Sequence, residues 1–237
     1  METKPVTEKI VKSIRHNFFE LEAWSSGNVT CGVDEVGRGC LAGPLVTAAV
    51  MIPPGKTEDF LKDSKLLSEP QRQRAYTWII AHCWYGVGIV DHHSIDKHNI
   101  WQATLICMKK ALVHALATCP HKPASVLIDA MPLHLFDTQY HAIPVYYFDK
   151  GESKSVSIAA ASILAKVTRD EIMNKFDKLF PGFGLSEHKG YGTEKHQHIL
   201  RERIPSIIHR KSFLDHIHKF SPADQKDEYH GQQTFIS

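Results

Sequence analysis

The stretch Cys31–Val46, CGVDEVGRGCLAGPLV, sets two carboxylates, Asp34 and Glu35, at the end of a short apolar run and follows them with a glycine-flanked arginine. CGVDEV reads as a strand, and LVTAAVMIP beyond it reads as a second. GRGCLAGP between them interrupts regular structure, because glycine and proline punctuate it. Successive side chains on a strand face opposite sides. Asp34 and Glu35 therefore reach one site only where the strand ends or twists, and the following glycines permit that departure.

Working outward, WYGVGIV (84–90) is a third strand. Ile95, Leu105, Met108 and Leu112 fall at helical spacing on a segment predicted to start near Ser94 as N-cap. SVLIDA (125–130) and IPVYYF (143–148) read as buried strands. A further helix is predicted from Ser157, with Ile158, Ala161, Ala165 and Ile172 on one face. Three strands, helix, strand, strand, helix is the order of an α/β domain with a mixed sheet. Residues 1–28 read as a separate helical extension, since Ile10, Ile14, Phe18 and Leu21 repeat at helical spacing before the stop WSSGN. The main domain is expected at 29–215, and 216–237 is a polar C-terminal tail.

Bulk properties narrow the class. The chain has 237 residues, 43% hydrophobic and 23% charged, which suits a globular domain with a substantial core. Its 28 Lys+Arg against 26 Asp+Glu leave a net charge of only +2, so any nucleic-acid binding must come from a local basic face. Five cysteines with no C-x-x-C pair argue against a disulfide framework and a structural zinc, and for a reducing compartment. The polar start METKPVTEKI is no secretory signal, and no apolar run reaches membrane-spanning length. A cytoplasmic monomer with no membrane association is expected.

Asp129 closes the apolar run SVLID, as Asp34 and Glu35 close CGV. Carboxylates at the ends of buried strands are costly unless paired or metal-bound. Three brought together repel, and a divalent cation relieves the repulsion. Oxygen ligands suit Mg2+ or Mn2+ rather than zinc, and such sites serve phosphoryl transfer. The alternatives are a solvated acidic turn at Asp34–Glu35 and a helix cap at Asp129. Gly37-Arg38-Gly39 reads either as a plain turn or as a small anion nest of exposed N–H groups.

With DEVGRGCLAGP, DSKLLS, LIDA, KGESKSVSIAAASILAKVTRDEIM, HKGYGT and HRKSF in that order, residues 31–213 resemble the bacterial type 2 ribonuclease H family, ribonuclease HII. The resemblance implies a ribonuclease H-like fold: a mixed five-stranded sheet flanked by helices, with a C-terminal helical part. It implies a metal-dependent endonuclease that hydrolyses the RNA strand of RNA–DNA hybrids and cuts at ribonucleotides embedded in duplex DNA, leaving 3′-hydroxyl and 5′-phosphate ends. Catalytic and metal-binding roles fall on Asp34, Glu35, Asp129 and Glu152, holding two Mn2+ or Mg2+ ions. Glu152 departs from the family's usual Asp, and Asp149 is a possible substitute outside the motif. Asp170 reads as a structural ion-pair partner. Substrate-binding roles fall on Gly37, Arg38, Gly39, Lys65 and Tyr191. The loop would read the 2′-hydroxyl, Lys65 a phosphate, and Tyr191 the sugar at the ribonucleotide–deoxyribonucleotide junction. Leu66 stands where the family more often has a second lysine. Two rival readings are another nuclease of the same fold and a catalytically silent hybrid-binding protein.

Overall fold

The computed structural model describes residues 7–10, 15–135 and 138–217. In chain order the elements are β1 (Thr7–Lys9), α1 (Phe18–Ser25), β2 (Thr30–Val36), β3 (Leu45–Met51), α2 (Glu69–His82), β4 (Trp84–Val90), α3 (His92–Thr118), β5 (Ser125–Asp129), β6 (Val145–Phe148), α4 (Val156–Leu179), α5 (Leu185–His188) and α6 (Glu194–Glu202). Short 3-10 turns occupy Ser64–Leu66, Gly151–Ser153 and Lys211–Phe213.

Five strands make the expected mixed sheet, and β1 adds a sixth on its edge, in the order β1-β6-β5-β2-β3-β4. The pairs β2–β3 and β3–β4 are antiparallel, whereas β2–β5, β5–β6 and β1–β6 are parallel. β3 is buried at all seven positions because helices cover both of its faces. Its Ala49 and Met51 pack with Met108, Ala111 and Leu112 of α3. Its Val46, Ala48 and Val50 pack with Ala75 and Ile79 of α2 and with Ala160, Ile163 and Leu164 of α4. At Gly32 the first turn of α4 lies against β2 so closely that a Cβ would stand 2.1 Å from the Ser157 carbonyl carbon.

Beyond α4, a satellite cluster of Leu41, Met173, Phe183, Leu185, Leu200, Ile208 and Leu214 joins the C-terminal helical part to the loop after β2.

Several boundaries differ from the sequence reading. α2 lies where no helix is predicted, because only Ala75 and Ile79 of its fourteen residues are buried and the apolar period is thin. Its start was nevertheless marked by Pro70 and by Gln71, whose side chain accepts the Ser68 N–H at 2.8 Å. Helix α3 begins at His92. Its cap is Asp91, whose carboxylate accepts the Ser94 N–H at 2.8 Å, so Ser94 lies inside the helix. α4 starts at Val156, one residue before the predicted start, and is capped by Ser155.

Ile10, Ile14, Phe18 and Leu21 do not share one helix. Thr7–Lys9 is a strand, Ile14 lies outside the described residues, and Asn17 takes a left-handed φ of 56° that stops α1 from extending backwards. The segment is fastened to the main sheet's helix. The Asn17 side chain accepts the Val156 N–H at 2.8 Å, and its own N–H donates to the Lys154 carbonyl at 2.7 Å. The buried Glu20 carboxylate accepts from the Ser157 N–H at 3.2 Å and from the Ser155 hydroxyl. Of the polar tail, residues 218–237 lie outside the described residues.

Candidate active site

Val33 of β2 pairs with Ile128 of β5, so the next residues, Asp34 and Asp129, emerge side by side at the carboxyl ends of two adjacent parallel strands. Loops and ligands gather at such ends in α/β sheets. Asp34 and Glu35 alternate along β2, which runs on to Val36, yet both line one cleft of about 490 Å³ together with Asp129. Asp34 is buried and accepts the Glu35 N–H at 2.7 Å. Asp129 accepts the Gly151 N–H at 2.8 Å.

Burial and neighbouring acids raise the proton affinity of Asp34 and Glu35. Burial, then Glu35, then Asp129 hold the Asp34 carboxyl well above the ordinary carboxylate range. Glu35 is pushed up to about 7, chiefly by burial, with Arg38 opposing and Asp129 adding to the rise.

Glu152 sits next door. It lines an adjoining cavity of about 510 Å³ with Lys62, Asp63 and Leu66. Its carboxyl is raised by burial and by Asp129, and Lys65 Nζ stands 3.6 Å from its Oε1. Lys65 therefore lies between the two cavities, lining the first and paired in the second. Asp149 is out of reach, exposed and paired with Lys9 at 3.2 Å. Asp170 pairs with Lys166 at 2.8 Å, one helical turn away.

The donor set fits a hard divalent cation: oxygen atoms only, with Glu35 Oε2 and Glu152 Oε2 buried and lacking any hydrogen-bond partner. Among the described residues, no three His, Cys, Asp or Glu side chains already converge on one point as ligands. Gathering the four would require Glu152 to leave Lys65 and swing toward Asp129.

Basic side chains share the lining: Arg38, Lys65, Arg72 and Lys166 line the same cleft. Arg38 Nη1 reaches Glu35 Oε1 at 3.4 Å. The loop that carries Arg38 is held from behind by two fully buried arginines, which sequence reading missed. Arg169 donates to the carbonyls of Pro44 (2.9 Å), Ala42 (3.1 Å) and Lys189 (2.8 Å). Arg210 donates to Arg38 (2.9 Å) and twice to Gly43 (3.1 and 3.0 Å). Gly37 has a φ of +95°, and a Cβ there would meet Arg169 Nε at 2.3 Å. Its need for glycine is thus internal. Around Gly39 nothing lies within 4 Å of such a Cβ, so that side of the loop is open to an external group.

Tyr191 closes the cleft, 37% exposed, bridged to Cys40 and with Lys166 Nζ 5.7 Å and the Arg169 guanidinium 5.6 Å from its ring centroid. Burial first, then Cys40, push its hydroxyl up to about 12. The backbone before it is fully engaged. Lys189 O takes Arg169, Gly190 O takes the Leu41 N–H at 2.8 Å, and the Gly190 N–H goes to His188 Nδ1 at 3.1 Å. His188 is buried, so it is a scaffold residue and no surface charge.

Of the residues named from sequence, the cleft gathers Asp34, Glu35, Asp129, Gly37, Arg38, Gly39, Lys65 and Tyr191; Glu152 adjoins it. Paired carboxylates at parallel strand ends, a mixed sheet and basic side chains in the same cleft define a ribonuclease H-like nuclease fold. The ribonuclease HII family model matches residues 31–216. The ribonuclease HII of Clostridioides difficile is 43% identical over 85% of this chain and 76% of its own length, and that of Geobacter metallireducens 42% over 88% and 94%. The crystal structure of ribonuclease H2 from Pyrococcus horikoshii superposes with a TM-score of 0.65 at 28% identity, covering 80% of this chain and 96% of that one. The chain belongs to the ribonuclease HII family, and with it to the ribonuclease H class of hydrolases.

Proposed function

We propose that this protein is a metal-dependent endoribonuclease acting on two substrates: the RNA strand of RNA–DNA hybrids, and DNA duplexes carrying embedded ribonucleotides, which it cuts on the 5′ side. Its products carry 3′-hydroxyl and 5′-phosphate ends, and its work is replication and repair as a cytoplasmic monomer. The observation that carries this reading is that one cleft is lined by three carboxylates and four cationic side chains together. The cations attract a phosphodiester into the cleft that the acids line.

Asp34, Glu35, Asp129 and Glu152 would hold Mg2+ or Mn2+. Bound there, divalent cations lower the pKa of a water and neutralise charge on the phosphate and the leaving oxygen. Arg38, Lys65 and Lys166 orient the strand through its phosphates, which carry no sequence information, so cleavage is structure-specific and sequence-tolerant. The open face of the Gly37–Gly39 loop presents main-chain groups to the 2′-hydroxyl, which both donates and accepts hydrogen bonds. Tyr191 packs on the sugar at the junction.

The test is cleavage of a DNA duplex with one ribonucleotide, in Mg2+ and then Mn2+, by the wild type, Asp34→Asn, Asp129→Asn and Glu152→Asp. The wild type is expected to cut 5′ of the ribonucleotide. Each Asn variant should lose at least about a thousandfold in rate, several kcal/mol of transition-state stabilisation, while still binding hybrid. Unchanged turnover in the Asn variants would remove the carboxylate site. Cutting only by Glu152→Asp would mean that the Lys65–Glu152 pair has silenced the chemistry and left a hybrid-binding protein.

A further inference from the structure

Behind Tyr191 runs a line of polar contacts that the carboxylate chemistry does not use. The Tyr191 carbonyl lies 2.9 Å from His196 Nδ1, His196 Nε2 lies 3.1 Å from His209 Nε2, and His209 Nδ1 lies 2.8 Å from the Ser206 hydroxyl. A carbonyl only accepts, so His196 carries its proton on Nδ1. With that ring neutral, its Nε2 is a lone pair, and His209 must donate to it from Nε2. His209 Nδ1 is then bare and accepts from Ser206.

Both rings are buried, and burial lowers His196 to about 4 and His209 to about 3, so both are neutral near pH 7. The Ser206 carbonyl, 3.2 Å from His209 Nδ1, would find a proton there only in the imidazolium. His188 stacks on His196 at 4.0 Å and obeys the same rule: its Nε2 donates to the Phe183 carbonyl at 2.7 Å and its Nδ1 accepts the Gly190 N–H. The Phe183 ring lies 5.0 Å from His209, and His92 adds to the basic neighbours that lower its proton affinity.

Glycines flank Tyr191 on both sides; its N–H donates to the His188 carbonyl at 2.9 Å, and its carbonyl takes the Thr193 N–H at 2.8 Å as well as the His196 ring. We propose that His196 and His209 are positioning residues: the one-way chain Ser206 to His209 to His196 to the Tyr191 carbonyl fixes the Tyr191 ring over the cleft and thereby sets selectivity for ribonucleotide–deoxyribonucleotide junctions. This rests on the role given to Tyr191 above.

Two measurements on the full chain decide it. Long-range proton–nitrogen NMR of histidine-labelled wild type at pH 7 should show the proton of His196 on Nδ1 and that of His209 on Nε2. A proton on His196 Nε2 overturns the chain whatever the enzyme cuts. Then kcat/KM is compared on a single-ribonucleotide duplex and on a long hybrid for wild type, His209→Leu, His209→Gln and Tyr191→Ala. His209→Leu leaves His196 Nε2 unpaired and should lose about tenfold on the junction substrate, with the long hybrid within about twofold. His209→Gln, which keeps an N–H near the Nε2 place, should recover most of it. Equal losses on both substrates, or none, overturn the positioning role. A wild type that cuts long hybrids but not single ribonucleotides refutes the reading of Tyr191 instead, and that result shows without any variant.

Discussion

Glu35 is held where a carboxylate is least comfortable, buried beside other acids and pushed up to about 7. Its folded-state affinity for a proton exceeds that of the unfolded chain, whose value is near 4.5. The native state is therefore favoured below about 4.5 and loses that advantage as pH rises through about 7. Metal-free protein should melt at progressively lower temperature between about pH 5 and about pH 7.5, Glu35→Gln should flatten that slope, and added Mn2+ should restore the wild type at the upper pH. Equal slopes for the two proteins in thermal denaturation would contradict the burial and repulsion described. Asp34, Glu35 and Asp129 were legible in the sequence because acids that close apolar runs stand out. Arg169, Arg210, His196 and His209 were not: a lone basic residue reads as surface until its partners are known. Arg169 finds its partners 125 and 127 positions away, on a loop that sequence leaves unplaced.

Helix α1 illustrates the same limit one level up. The spacing read there starts just past β1 and runs into the helix, Glu20 reads as a solvated charge, and only the fold shows it capping the first turn of α4. Together Asn17 and Glu20 satisfy the N–H groups of Val156 and Ser157, which would otherwise be orphaned at a helix start. With the Asn17 N–H on the Lys154 carbonyl, two residues after Glu152, these contacts also steady the 3-10 turn that carries it. Glu20→Ala should cost about 1–3 kcal/mol in urea denaturation and speed hydrogen exchange at Val156 and Ser157. Unchanged exchange at those two amides would show that α1 is merely laid against the domain. Strands β2 to β6 were legible because their apolar runs are buried on one or both faces. α2 was not, since two buried residues in four turns leave no period to find.

Across the whole molecule, the C-terminal helical part is fastened to the loop after β2 by the cluster around Met173 and Leu200 and by two guanidiniums that bind main-chain carbonyls. Arg210 is the more exacting of the two, because burial lowers even its proton affinity, to about 10. Arg210→Met should cost on the order of 3 kcal/mol, since the Arg38 and Gly43 carbonyls lose their donors in a buried place. A urea midpoint within error of the wild type would show that the hydrophobic cluster alone holds the two parts together.

The edge strand has a consequence for how the chain is made. β1 pairs with β6 at Val145–Tyr147, so it leaves the ribosome long before the strand that it joins. At cellular rates of elongation that interval is roughly ten seconds. Throughout it, Thr7–Lys9 has no strand to join, and Glu20 has no Ser155 or Ser157 to cap. The nascent chain can assemble β2, β3 and β4 first from neighbouring hairpin-like pairings, and it closes the opposite edge only after β6 has emerged.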